Sequence, residues 1–461
     1  MLKFNWMLLT ACLIFLMAIS GMVQGKQATP GESKPIAGAV PQGGLLLASQ
    51  PWPDNRCYAD QRGRSSFKGP GANLVETKSI NLYSELQISD PPPLTVFRVL
   101  RAGKGNQIYF IYLGKDQDAT LCAYNLNSGL QWNQPVSRYT NVCLDEKGKV
   151  YYILKNGYEL DRVNPDGTGD WVRMFPIPGD DPLREDYLMV GKRVYVVATP
   201  PNDGKIYSIS KTDPNDQWIY TYGPSTIHRM AEDAQGNLYV RFADRNKGII
   251  KIGPDGVLKW RTPLVLPGVT PSPQLFGEFT PNDLGPICGQ AGYIWGNERV
   301  SQFDDQGYTG VPFYVLAPDG SIYKSGGYGI DEDPLAACYG SDGRLYIATK
   351  GGVNCYQDGD DLQWSTNFPG PDTLRCMVMD ADNVIYGASS DKLYVLEGSS
   401  GNILATLPIT VTGELGTFSS LAIGDGGKLI WLNSRGRLKV FGTKLVKIPG
   451  AMKAMPLVKN K

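Results

Sequence analysis

GNQIYFIY (residues 105–112) and AYNLNSGLQW (residues 123–132) decide how this chain folds. The first opens on a glycine turn and runs into β-branched and aromatic residues centred on Tyr109. Such a run between turn signals reads as a strand. The second is a strand, an Asn-Ser-Gly reversal of the kind that supplies the φ > 0 a hairpin needs, and a further strand carrying Trp132. Working outward, the first pattern returns as GKVYYI (148–153), GKRVYVV (191–197), GNLYVR (236–241), GYIWG (292–296), GRLYIA (343–348), NVIYGA (383–388) and GKLIWL (427–432). Its anchors are Tyr109, Tyr151, Tyr195, Tyr239, Tyr293, Tyr346, Tyr386 and Ile430, with gaps of 42, 44, 44, 54, 53, 40 and 44 residues.

A period near 44 with about four short strands per unit is the pattern of a β-propeller. No long stripe of period 3.6 supports a helical alternative. The two long gaps place roughly ten extra residues on each side of Tyr293, so the fifth unit carries enlarged loops, around 262–290 and 304–314.

The second pattern runs in phase with the first. IGPDGVLKW ends at Trp260, CYQDGDDLQW at Trp364, VNPDGTGDW at Trp171 and SKTDPNDQW at Trp218, while Tyr323 (APDGSIY) and Leu404 (GSSGNIL) are read as its substitutes. These copies resemble the tryptophan-docking repeat A-x-D-x-x-[ST]-G-x-x-x-W of the quinoprotein-like (PQQ-like) β-propellers, over roughly residues 56–442. QRGRSSFKGP (61–70) is similar to the lead-in of such propellers. The resemblance implies a Trp on each outer strand packed against the neighbouring blade. Tyr83, 49 residues before Trp132, aligns with the Trp series and so reads as part of an outermost strand without inner strands before it. The last unit, 419–442, has inner strands and no convincing Trp strand after it. Joining the two closes an all-β ring of eight four-stranded antiparallel blades over residues 74–442, which removes exposed sheet edges.

The remaining segments read differently. Residues 1–25 carry Lys3, an apolar run from Trp6 to Met22 and small side chains before Lys26, the form of a secretory signal peptide. An uncleaved anchor is the alternative. A lipidated Cys12 is disfavoured because Cys12 sits in the middle of the apolar run. Residues 26–73 are a Gly/Pro-rich tether and lead-in, and 443–461 a tail. The expected location is secreted, periplasmic or otherwise in the cell envelope, with no membrane insertion after signal removal.

Composition excludes several chemistries. With 45 basic and 45 acidic residues the chain offers no nucleic-acid footprint, and with one histidine it can build no multi-His metal site. Its 54 Gly and 33 Pro amount to about 19% of residues against an ordinary ~12%, a surplus that hairpin turns and the tether account for. Cys122 and Cys143, and likewise Cys355 and Cys376, are 21 residues apart. They are read as buried thiols on repeated strands, with two matching disulfides as the alternative.

Candidate site residues are few. Asp180, Asp181, Glu185 and Asp186, then Asp331, Glu332 and Asp333, are placed on connections between blades. Asp358, Asp360 and Asp361 are assigned to a solvated turn. Calcium would need six to eight converging oxygens, and neither calcium nor PQQ is expected, since no adjacent-cysteine pair or quinone-site run is found. Arg184, Arg229 and Arg375 lie on or beside equivalent connections, where a ring of structural charges or an anionic ligand would use them. His228 lies at the start of an innermost strand, near the channel mouth, without an identifiable catalytic partner. No P-loop, G-x-S-x-G or HExxH occurs, and no catalytic residue is assigned. The expected function is a non-catalytic, monomeric binding or scaffolding module for a protein or glycan partner held by the face loops. The alternative is an oxidoreductase, lyase or hydrolase with its site at the central mouth.

Overall fold

Each Tyr-centred run is a strand that begins just after its turn glycine or asparagine. The computed structural model describes residues 65–444 except 89–95, 115–117, 138–139, 155–157, 176–182, 199–203, 243, 245–246, 265–285, 290–291, 298–309, 330–335, 350, 358–360, 370–373, 375, 390 and 410–418. The expected signal, 1–25, most of the lead-in, Cys57 and nearly all of the tail lie outside the described residues.

The strands form eight four-stranded antiparallel sheets. Blade 1 spans 96–136, blade 2 143–174, blade 3 183–223, blade 4 227–262, blade 5 287–329, blade 6 336–367 and blade 7 376–408. Blade 8 takes its three inner strands from 419–443 and its outermost from 74–81. Leu74 pairs with Thr443 and Asn81 with Arg437, so the two ends of the chain close the ring as the sequence predicts. First strands of neighbouring blades meet around the axis. Hairpin turns between first and second and between third and fourth strands lie on one face, the turn face. The other connections lie on the opposite, loop face.

Packing is repetitive because the sequence is. Buried clusters lie between adjacent blades, each built from alternate residues of two sheets, such as Tyr151, Leu160 and Leu188 between blades 2 and 3. The turn before each anchor tyrosine is an Asp-centred motif. Asp233 accepts the amides of Gln235 and Asn237 at 2.9 and 2.8 Å and the Tyr239 hydroxyl at 2.9 Å. Asp145 and Asp380 repeat the arrangement with Tyr151 and Tyr386. A buried phenol is thereby satisfied by its own hairpin.

Three sequence alignments are corrected by the ladder register. Tyr83 is not on the closing strand: Asn81 ends that strand, and Tyr83 lies in a one-turn helix, Leu82–Glu85. The row that contains Tyr239, Lys251 and Trp260 in blade 4 contains Ile430, Val440 and Lys78 in blade 8. In blade 5 the same row is Trp295, Val315 and Lys324, so Trp295 replaces Tyr293 as the anchor and Tyr323 is one residue early. In blade 7 it ends at Ala405, not Leu404. Each error arises from β-bulges and turns of unequal length, which shift a strand without changing its composition.

Candidate functional site

The row positions explain the tryptophans. Trp132, Trp218, Trp260 and Trp364 each pack on the anchor tyrosine of their own blade at ring separations of 5.8–6.0 Å. Each also donates its indole N–H to a carbonyl in the next blade's outer hairpin: Pro165, Pro254, Pro318 and Gly398, at 2.9–3.1 Å. The turn glycine of that hairpin lies on the indole. A Cβ at Gly320 would sit 2.5 Å from Trp260, and one at Gly167 2.7 Å from Trp132. Blade 2 solves the same problem differently. Arg162, with its guanidinium 5.2 Å from the Trp171 ring, donates to Lys211 O, the equivalent carbonyl of blade 3. At the closure, Lys78 Nζ donates to Leu126 O in blade 1. Lys78 is therefore the docking residue of blade 8, a role that sequence alignment gave to Tyr83.

The innermost strands are locked by a second repeated contact. Arg101 Nε donates to Val142 O at 3.0 Å, Cys143 Sγ to Leu188 O at 3.3 Å and Cys338 Sγ to Met377 O at 3.8 Å. All three donors face the row of the anchor tyrosine, and all three acceptors belong to the next blade's inner segment. Cys122 and Cys143 lie in different inter-blade layers, as do Cys355 and Cys376, so neither pair is joined. Burial pushes the thiols of Cys122 and Cys355 up to about 12, which makes them poor nucleophiles.

Two of the arginines meet between blades 4 and 5, toward the loop face. Arg229 on the innermost strand is directly opposite Arg241 on the second strand. Arg241 is fully buried, its guanidinium 5.9 Å from the Tyr314 ring of blade 5. His228 occupies the bulge between Ile227 and Arg229; its backbone is described and its side chain is not. Arg184 falls on the matching row of blade 3, and so does Arg98 in blade 1, each beside a register shift. Neither Arg241 nor Arg98 is flagged by any sequence motif. Only the ladder, which puts them on the rows of Arg229 and Arg184, could reveal them.

Other candidates are placed as follows. Glu185 and Asp186 lie within an innermost strand, Leu183–Val190, and not on a connection, because that strand absorbs them at its bulge. Asp361 begins the outermost strand of blade 6. Asp180, Asp181, Asp331, Glu332, Asp333, Asp358, Asp360 and Arg375, and most of the enlarged loops, lie outside the described residues. Among the described residues no group of three His, Cys, Asp or Glu side chains could hold a metal ion.

Comparison with solved structures bears on the fold. The Dos1 propeller aligns over 81% of this chain and 97% of its own at 9% identity and a TM-score of 0.53. The chain is a β-propeller. BamB from Moraxella catarrhalis aligns over 81% and 98% at 13% identity, TM-score 0.46. Virginiamycin B lyase from Staphylococcus aureus, in a catalytically inactive form with quinupristin, aligns over 65% and 93% at 14% identity, TM-score 0.42. No protein-family model and no curated protein matches the sequence. At such identities the propeller is shared as an architecture, which is compatible with many activities. No helix among the described residues is long and apolar enough to cross a membrane.

Proposed function

We propose that this chain is a non-catalytic binding scaffold of the cell envelope or extracellular space, and that its loop face holds a protein partner. The repeated docking of tryptophan on the next blade's turn supports placing it among the quinoprotein-like propellers, without their cofactor. The observation that carries the reading is the path of the lead-in. Ser65 N donates to Met379 O, at the end of blade 7's innermost strand, and Ala381 N donates to Phe67 O. Gly69 N then donates to Asp380 and Gly71 N to the Tyr386 hydroxyl, at 2.8 and 2.9 Å, before the chain enters the outermost strand of blade 8. The strap thus crosses the turn face from axis to rim. The described part of the lead-in, 65–71, therefore lies on the turn face and not on the loop face. The loop face carries the long connections, and loops on a rigid frame are the usual recognition elements.

The test is site-specific photo-crosslinking in the native envelope. A benzoylphenylalanine at Asp118 or Pro224, both exposed on loop-face connections, is expected to capture a discrete protein, and one at Asn127, on the turn face, is not. Capture from Asn127 alone, or from none of the three, overturns the reading. The Arg229–Arg241 pair beside His228 favours an enzyme as the second reading. A small-molecule turnover that Arg229→Ala abolishes without unfolding the ring would replace the scaffold with it.

A further inference from the structure

The seam between blades 5 and 6 breaks the docking pattern. Lys324 stands where blades 1, 2, 3, 4 and 6 carry tryptophan and blades 7 and 8 carry Ala405 and Lys78, and Tyr323 occupies the bulge just before it. At the corresponding bulge blades 1, 2, 4 and 6 carry the polar side chains Gln131, Asp170, Lys259 and Gln363, and blade 7 carries Leu404. Tyr323 remains 44% exposed. Its ring meets Tyr293 edge-to-face at 5.1 Å, and Lys324 Nζ lies 5.6 Å from the Tyr323 centroid. Tyr293 and Tyr339, both half-buried, border the same apolar layer between the two blades. The Tyr339 phenol lies against the Gly289 backbone, where a Cβ would come within 3.2 Å of its hydroxyl oxygen. All three tyrosines adjoin hairpins of the turn face. Tyr339 is on the innermost strand of blade 6, Tyr293 adjoins the second strand of blade 5 and Tyr323 is on its outermost strand. They step from axis to rim.

We infer that this tyrosine row is a saccharide-binding site, separate from the loop face and independent of the reading proposed for it. An aromatic row with phenol groups and an ammonium at its outer end suits a rigid ligand that has apolar C–H faces bordered by hydroxyls. Tyrosine supplies that surface at small cost in side-chain entropy, because only two torsions are fixed.

The experiment measures retention of the purified full-length chain on immobilised chitohexaose, laminarihexaose and hexagalacturonate. At least one is expected to retain the chain. Tyr323→Ala is expected to weaken that retention at least tenfold, Tyr323→Trp to preserve it, and Leu404→Ala, at the exposed bulge of blade 7, to leave it unchanged. Urea midpoints of all variants establish that the ring is intact, and Lys324→Gln serves as the second variant should Tyr323→Ala be unfolded. Retention by none of the three sugars, or retention indifferent to both Tyr323→Ala and Lys324→Gln, overturns the inference. Loop-face crosslinking is unaffected by either result, so the two readings fail separately.

Discussion

Replacing Gly320 with alanine tests whether docking between blades, and not hairpin formation alone, holds the ring. Gly320 has φ +89° and Gly129 has φ +88°, and both turn an outer hairpin. They differ in one respect. A Cβ at Gly320 would stand 2.5 Å from the Trp260 indole, whereas a Cβ at Gly129 meets nothing within 4 Å, because blade 8 docks there with Lys78 instead of tryptophan. Gly129→Ala therefore carries only the left-handed backbone cost, about 1–2 kcal/mol. Gly320→Ala adds displacement of a packed ring, about 1–3 kcal/mol. It also disturbs the Trp260 N–H bond to Pro318 O, worth about 1 kcal/mol. The expected totals are about 1–2 and about 3–6 kcal/mol, read from urea unfolding by the shift in midpoint at constant slope. Trp260→Ala supplies the control: in that background Gly320→Ala should cost no more than Gly129→Ala, a coupling of about 2–4 kcal/mol. Equal costs for the two glycine substitutions, or no coupling to Trp260, would refute the docking argument.

Three further outcomes follow from buried polar groups. Tyr386→Phe removes a hydroxyl that donates to Asp380 and accepts from Gly71 N. A loss of about 2–4 kcal/mol is expected, with faster tryptic cleavage at Lys68 as the strap lifts. Glu232 is fully buried between blades 3 and 4, where its carboxylate accepts the Tyr195 hydroxyl and the Lys192 amide, each at 2.6 Å. Burial raises its pKa above the usual 4.5, against these two hydrogen bonds. The folded state therefore binds the proton more readily than the unfolded chain, and stability falls as pH rises from 4.5 through the folded pKa. Glu232→Gln should flatten that slope and match or exceed wild type at pH 7; an unchanged slope would show that another group is responsible. Finally, Cys122, Cys338 and Cys355 should resist alkylation in the native protein and react on unfolding, followed peptide by peptide by mass spectrometry. Native labelling of Cys338 would contradict its burial.

The blades were legible because their causes are local. A turn residue, a β-branched run and an anchor tyrosine recur at fixed spacing, and each copy describes its own hairpin. The Trp positions were legible wherever the hairpin had its usual length. They were misread at Tyr83, Tyr323 and Leu404, where one bulge or an absent hairpin moves the row by one to five residues. Lys324 could have been found by counting four residues from the turn glycine, as Trp260 follows Gly256. Arg101 and Arg241 could not, since nothing distinguishes them in sequence from any strand arginine. Arg229 reads in the sequence as lying on or beside a connection; it stands within the innermost strand of blade 4, and its partner Arg241 is met only across the ladder.

The sequence by itself determined the number of blades, their strand order and the joining of the two chain ends, because period, turn chemistry and alternation are properties of short segments. Tertiary structure decided which residues meet between blades. It put Lys78 at the closure, placed Cys122 and Cys143 in separate layers, and opened the tyrosine row at the fifth seam. Those outcomes depend on how two sheets face one another, and a one-residue shift of register moves a side chain to the other face while leaving the local pattern intact.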